Sequence, residues 1–270
     1  MAESSSTKSG LRLAGKVAIV TGGASGIGKE TAHLFVKQGV RIVVIADIQD
    51  ELGIQVAKSI GTDKCIFIHC DIRIEDDVKN LVQSTVNTYG QIDIMHCNAG
   101  IVSPSAQIVL DFDVSQANGV FATNAIGTAL CVKYAARAMV EGKVKGSIVC
   151  TSSVAGSYGV GTGTDYSMSK HAILGLMRSA SVQLGKYGIR VNSVSPNGLA
   201  TPLTEKLLDA DAKTVEKIFS KYSMLKGLVL RTNNVVDAVL FLASNESDFV
   251  TGLDLRVDGN YVTNADNLKD

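Results

Sequence analysis

Short β-branched runs alternate with longer amphipathic stretches along almost the whole chain, and this alternation restricts the fold more than any other feature. Val17–Thr21, Arg41–Asp47, Cys65–His69, Ile94–Cys97, Ser147–Thr151, Arg190–Ser195 and Leu253–Val257 read as strands. Glu30–Gln38, Glu51–Ser59, Glu75–Tyr89, Ser115–Val140, Tyr166–Tyr187 and Val235–Ser244 read as helices. Strands separated by helices are joined by crossovers, which make the strands parallel and put helices on both sheet faces. The run RIVVIAD at 41–47 is apolar almost throughout, as a strand covered on both faces requires. The expectation is one α/β domain over residues 13–270, a Rossmann-like, doubly wound parallel sheet of seven strands, with ligands at the strands' carboxyl ends. The polar, Ser-rich residues 1–12 read as a disordered arm. Residues 203–229 are longer than a plain strand-to-helix connection needs and read as a substrate lid.

Bulk chemistry excludes several function classes. Lys+Arg and Asp+Glu balance at 26 each, so no basic field exists for nucleic acid or an anionic membrane surface. No apolar run approaches the roughly 18 residues of a membrane span, and the start of the chain lacks a signal peptide's apolar stretch. Cys65, Cys70, Cys97, Cys131 and Cys150 are scattered and read as buried free thiols, and the four histidines show no metal-ligand spacing. A cytoplasmic location and a metal-free site are expected.

Between the first strand and the first helix stands Thr21-Gly22-Gly23-Ala24-Ser25-Gly26-Ile27-Gly28. Glycine lets the backbone turn sharply and approach a pyrophosphate, while the helix start offers free N–H groups and a positive dipole end. Gly22, Ser25, Gly26, Ile27 and Gly28 are the candidate phosphate residues. Asp47 ends the second strand nineteen residues after Gly28, where a carboxylate can accept from both adenosine ribose hydroxyls. It would repel a 2′-phosphate, and neither Gly23–Ile27 nor positions 48 and 49 hold an Arg or Lys. NAD is favoured over NADP.

Tyr166 and Lys170, four residues apart, share one helix face. An ammonium beside a phenol favours the phenolate, so the pair is expected to lower the tyrosine below its usual value of about 10 and make it a base. A bare Tyr-x-x-x-Lys is ordinary helix surface; the upstream cofactor signature gives it meaning. Thr-Gly-x-x-x-Gly-x-Gly at 21–28, Asn98-Ala99-Gly100, Ser152-Ser153 and Tyr166-x-x-x-Lys170 together resemble the short-chain dehydrogenases/reductases. The resemblance covers the chain after its N-terminal arm. The stretch Ser195–Pro202 looks most like the plant secoisolariciresinol-dehydrogenase-like branch, which includes oxidisers of terpenoid alcohols. The resemblance implies Asn124, Ser153, Tyr166 and Lys170 as the catalytic set. Ser153, thirteen residues before Tyr166, would hold the substrate oxygen, with Ser152 structural. Asn124 would mark a helix distortion that helps hold a water linked to Lys170. Asp71 would meet the adenine edge by its main-chain N–H or side chain, with Ile72 packing nearby. Asn98, Ala99 and Gly100 would line the adenosine side with backbone, and Pro196, Leu199 and Thr201 would bracket the nicotinamide carboxamide. Asn197 and Asn260 depart from the family's common Pro-Gly and second Gly. A homotetramer built on the helices at 115–140 and 166–187 is also implied.

The expected pocket wall is apolar or small: Val102, Val154, Val160, Gly161, Leu199, Leu207, Leu208, Ile218 and Met224. No Arg or Lys adjoins Ser153 or falls in 160–165 to seat an acid. A bulky apolar secondary alcohol or its ketone fits this wall, with borneol to camphor the single best expectation. The alternatives are an NADPH-linked carbonyl or acyl reductase of the same fold, against which Asp47 argues, and a non-catalytic dinucleotide-binding scaffold, which would need none of the catalytic set.

Overall fold

Strands β1 (Val17–Thr21), β2 (Ile42–Asp47), β3 (Cys65–His69), β4 (Ile94–Cys97), β5 (Ser147–Thr151), β6 (Arg190–Pro196) and β7 (Asp254–Val257) form one parallel sheet in the computed structural model, which describes residues 10–262. Their order is β3-β2-β1-β4-β5-β6-β7. It reverses direction between β1 and β4, and there the loops leave the sheet on opposite sides and open a crevice at its carboxyl edge.

Successive strand residues point to opposite faces, so each strand feeds two cores. Ile19, Val44, Met95, Ile148 and Val191 pack on one face. They meet α3 (Glu75–Tyr89), α5 (Thr128–Glu141) and α6 (Thr164–Leu184) through Leu81, Met139 and Met177. Val20, Val43, Ile45, Ile94 and Val149 pack on the other. Their partners are α1 (Gly26–Lys37), α2 (Asp50–Ile60) and α9 (Thr232–Ala243), through Phe35, Val56 and Val239. All five cysteines are buried and free.

Three boundaries differ from expectation. α1 starts at Gly26 inside the glycine loop, four residues before its apolar periodicity begins. The single helix expected at 115–140 is α4 (Val114–Phe121), a π-helical segment (Ala122–Gly127) and α5. The stretch 203–229 holds α7 (Pro202–Leu208) and α8 (Ala212–Ser220). Most of the expected arm, residues 1–9, lies outside the described residues; Arg12 ion-pairs with Glu246 and Leu13 is buried.

Candidate active site

The loop after β1 folds tightly because glycine occupies it. Gly22 and Gly26 have φ of +65° and +50°, the left-handed region. A Cβ on Gly28 would lie 2.1 Å from the Gly22 carbonyl oxygen, and one on Gly22 2.8 Å from the Ala99 Cα. Ser25 caps α1 without a side-chain bond, and no acid stands in its first turn. The helix start therefore keeps its N–H groups and positive end for an anion, and this cradle fits a dinucleotide pyrophosphate. Asp47 ends β2 beside it. Its Oδ2 accepts from the Ala24 N–H at 3.1 Å, and its Oδ1 from the Gln49 N–H at 3.1 Å.

Asn98 and Ala99 donate their N–H groups to Thr21 Oγ1 at 3.0 and 3.2 Å. Gly100 sits close against the catalytic side chains: a Cβ would stand a tight 3.2 Å from Asn124 Oδ1 and 3.5 Å from Lys170 Nζ. Thr201 caps α7 opposite the glycine loop, its Cβ 3.6 Å from where a Cβ on Gly26 would lie. Leu199 is buried, with its carbonyl accepting from Thr204 at 2.6 Å, and Pro196 ends β6. Asp71 differs from expectation at one point. Its N–H is committed to Asp77 Oδ2 at 3.0 Å, so the main-chain route to an adenine edge is already used. Its carboxylate is bound by Arg73, which holds it below the usual carboxylate range. Ile72 packs into the core against Gly127 of the π segment.

At the catalytic end, Lys170 Nζ lies 5.4 Å from the Tyr166 ring centre and donates to the Thr151 carbonyl at 2.9 Å. The Ser153 hydroxyl accepts from the Ala155 N–H at 3.2 Å and lies near enough to the Tyr166 phenol to favour its ionised form. Ser152 points away and donates to the Lys170 carbonyl at 3.1 Å, a structural contact. The expected lowering of Tyr166 is not what the chain produces by itself. Burial pushes the phenol up to about 12, against the opposing pull of the nearby Ser153 hydroxyl. Burial also pushes the Lys170 ammonium down to about 8. Desolvation disfavours both charged forms and dominates each shift.

Asn124 is fully buried in the π segment. Its Oδ1 accepts from the Ile101 N–H at 2.8 Å, and its Nδ2 donates to the Ile101 carbonyl at 2.9 Å and to Ser169 Oγ at 3.0 Å. The distortion turns this side chain onto the loop that follows Gly100.

Of the expected pocket wall, Val154 and Leu199 belong to the buried interior, while Val160, Leu207, Leu208 and Met224 are exposed at 36–45%. Several supporting residues went unread in the sequence. Thr151 meets Lys170 through its carbonyl, which no side-chain pattern reveals. Arg256 of β7 bonds the Tyr158 hydroxyl and lies 5.6 Å from that ring's centre, so a cation does pack against the segment that follows Ser153. Asn197 accepts from the Gly198 N–H at 2.8 Å, and Asn260 takes a left-handed φ of 63°, which explains why glycine is common there. Among the described residues no cluster could hold a metal ion, and no helix is long and apolar enough to cross a membrane.

Comparison with known proteins agrees with this geometry. A family model described as enoyl-(acyl carrier protein) reductase matches residues 22–261. The chain is 55% identical to (+)-cis,trans-nepetalactol synthase NEPS2 of Nepeta racemosa, over 92% of this chain and 93% of that protein. It is 54% identical to the mitochondrial (-)-isopiperitenol/(-)-carveol dehydrogenase of Mentha piperita, over 92% and 94%. A crystal structure of a short-chain type dehydrogenase/reductase from Mycobacterium marinum superposes with a TM-score of 0.86 at 33% identity, covering 94% of this chain and 98% of that one. With its glycine cradle, its Ser153–Tyr166–Lys170 arrangement and these relatives, the chain belongs to the short-chain dehydrogenase/reductase family.

Proposed function

We propose that this protein oxidises a bulky, uncharged secondary alcohol to its ketone with NAD⁺. The observation that carries the reading is the Ser153–Tyr166–Lys170 constellation, with Lys170 buried and Ser153 and Tyr166 half-buried, beside a glycine cradle whose neighbouring strand ends in Asp47. When bound, the nicotinamide supplies the hydride acceptor. Ser153 holds the alcohol oxygen, Tyr166 Oη as the phenolate takes its proton and becomes the neutral phenol, and Lys170 stabilises the phenolate before that transfer. Asn124 helps hold a water that returns the proton to solvent. Asp47 selects the ribose hydroxyls over a 2′-phosphate. Gly22, Ser25, Gly26, Ile27 and Gly28 take the pyrophosphate; Asp71, by its side chain, Ile72, Asn98, Ala99 and Gly100 flank the adenosine side; Pro196, Leu199 and Thr201 flank the carboxamide. The α7–α8 stretch acts as a lid.

The substrate is a plant terpenoid alcohol, with borneol to camphor our first choice. The dehydrogenase relative named for isopiperitenol and carveol supports the class. Shape selects weakly, about 1–3 kcal/mol per methylene, so related alcohols are accepted as well. The test is a panel of bicyclic, monocyclic and steroidal alcohols beside hydroxy acids, with NAD⁺ and NADP⁺, followed by NADH absorbance. Preference for a hydroxy acid would give Arg256 a substrate-binding role and defeat the reading. NADH binding with no alcohol oxidised would favour the synthase activity named for the Nepeta relative. The protein works as a cytoplasmic homotetramer. Imaging of a fluorescent fusion checks the location against the mitochondrial one named for the Mentha relative.

A further inference from the structure

His96 of β4 is fully enclosed on the sheet face covered by α1 and α9, in register with Val20 of β1 and Val149 of β5. Its Nε2 lies 2.9 Å from Thr151 Oγ1, while its Nδ1 has no partner. A buried N–H without an acceptor is costlier and rarer than a buried lone pair without a donor, so the proton belongs on Nε2. Burial holds the ring neutral, with its pKa pushed down to about 3.

This assignment propagates. If Nε2–H donates to Thr151 Oγ1, the threonine's own proton goes to Asn98 Oδ1 at 3.3 Å. The Asn98 amide is then fixed with Nδ2 facing the Thr21 and Gly22 carbonyl oxygens, at 3.0 and 3.3 Å. Reversing every donor would set Asn98 Oδ1 against those two carbonyl oxygens, so both ends of the chain demand the same direction. The Gly22 carbonyl is also the atom against which Gly28 packs with no space for a Cβ. One line of hydrogen bonds thus runs from a ring in the core to the peptide that shapes the phosphate cradle.

We propose that His96 is a positioning residue for the dinucleotide: as an Nε2–H donor it sets the direction of the Thr151–Asn98 hydrogen bonds and so holds the Thr21–Gly22 peptide in its binding orientation. Thr151 joins this line to the proton-transfer pair, because its carbonyl accepts from Lys170. The inference rests on dinucleotide binding and not on any particular alcohol.

Calorimetric titration of NADH into the full-length protein tests it, with no substrate present. H96L keeps the volume but removes the donor, and T151V removes the hydroxyl. Each is expected to weaken NADH binding about 3- to 10-fold, the worth of one net hydrogen bond. H96Q, whose amide nitrogen can replace Nε2–H, and T151S should stay within about twofold of wild type. The H96L/T151V double variant should bind no more weakly than T151V, because both act through one line. Wild-type affinity in H96L, or losses that multiply in the double variant, would overturn the proposal. If H96L does not fold, T151V against T151S decides, and equal affinities overturn it. Failure of the wild type to bind NADH would strike at the cofactor reading instead.

Discussion

At Tyr166 two effects oppose each other. The Ser153 hydroxyl favours the phenolate, yet burial outweighs it and leaves the phenol pushed up to about 12. Turnover in the oxidative direction should therefore climb with pH through the neutral range and beyond, as the phenolate fraction grows. Y166F should lose about 10²- to 10⁴-fold in turnover while NADH still binds, checked by steady-state kinetics beside calorimetry. Lys170 makes the complementary case. Its folded pKa of about 8 lies below the ordinary lysine value of 10.5, so its contribution to stability is full above pH 10.5 and is lost as pH falls through 8. K170M should accordingly be more stable than wild type at pH 7, by about 2 kcal/mol after allowing for the lost bond to Thr151. The gain should shrink as the pH approaches 10.5, which urea melts across the range would show. The positions of Tyr166 and Lys170 were legible because helical spacing places them on one face. The direction of the tyrosine's shift was not, because enclosure is contributed by loops and strands distant in sequence.

Helices carry their own lesson. The π segment inserts one extra residue per turn over a few residues, a slip too small to disturb the apolar pattern of a stretch that reads as one helix from Ser115 to Val140. It nevertheless aims Asn124 at both the N–H and the carbonyl of Ile101. N124A should cost about 1–3 kcal/mol of stability by leaving those groups unpaired, measured by denaturant midpoint, with activity falling further than stability alone explains. The strands were legible almost to the residue, since β-branched runs between crossovers leave few alternatives. The start of α1 was not, because glycines carry no periodicity to follow.

For the molecule as a whole, charge at the end of β2 and apolar surface on α6 have consequences over longer distances. D47S combined with I48R should narrow or reverse the preference for NAD⁺ over NADP⁺, read as the ratio of kcat/KM values; a wild type indifferent to the phosphate would refute the role of Asp47. Val182 and Met168 on α6 are 82% and 48% exposed, and Ile126 in the π segment 58%. Such side chains on the two helical stretches named for assembly are expected to be covered by other copies. Light scattering should give four times the 28.4 kDa chain mass, and V182E should lower it.

The α7–α8 stretch leaves the sheet at Pro196 and is pinned again near its far end by the antiparallel bridge between Ser223 and Tyr261. Phe219 seats on Gly198, where a Cβ would lie 2.2 Å from the ring. Both anchors stand outside the proton-transfer pair and the phosphate cradle. If the excursion acts as the proposed lid, it is a transplantable cassette: a donor segment from a relative that preserves Leu199 and Thr201, Gly198, an aromatic at 219 and the Ser223 bridge should exchange substrate scope in one recombination step, with the cofactor contacts and the proton-transfer pair left as they stand.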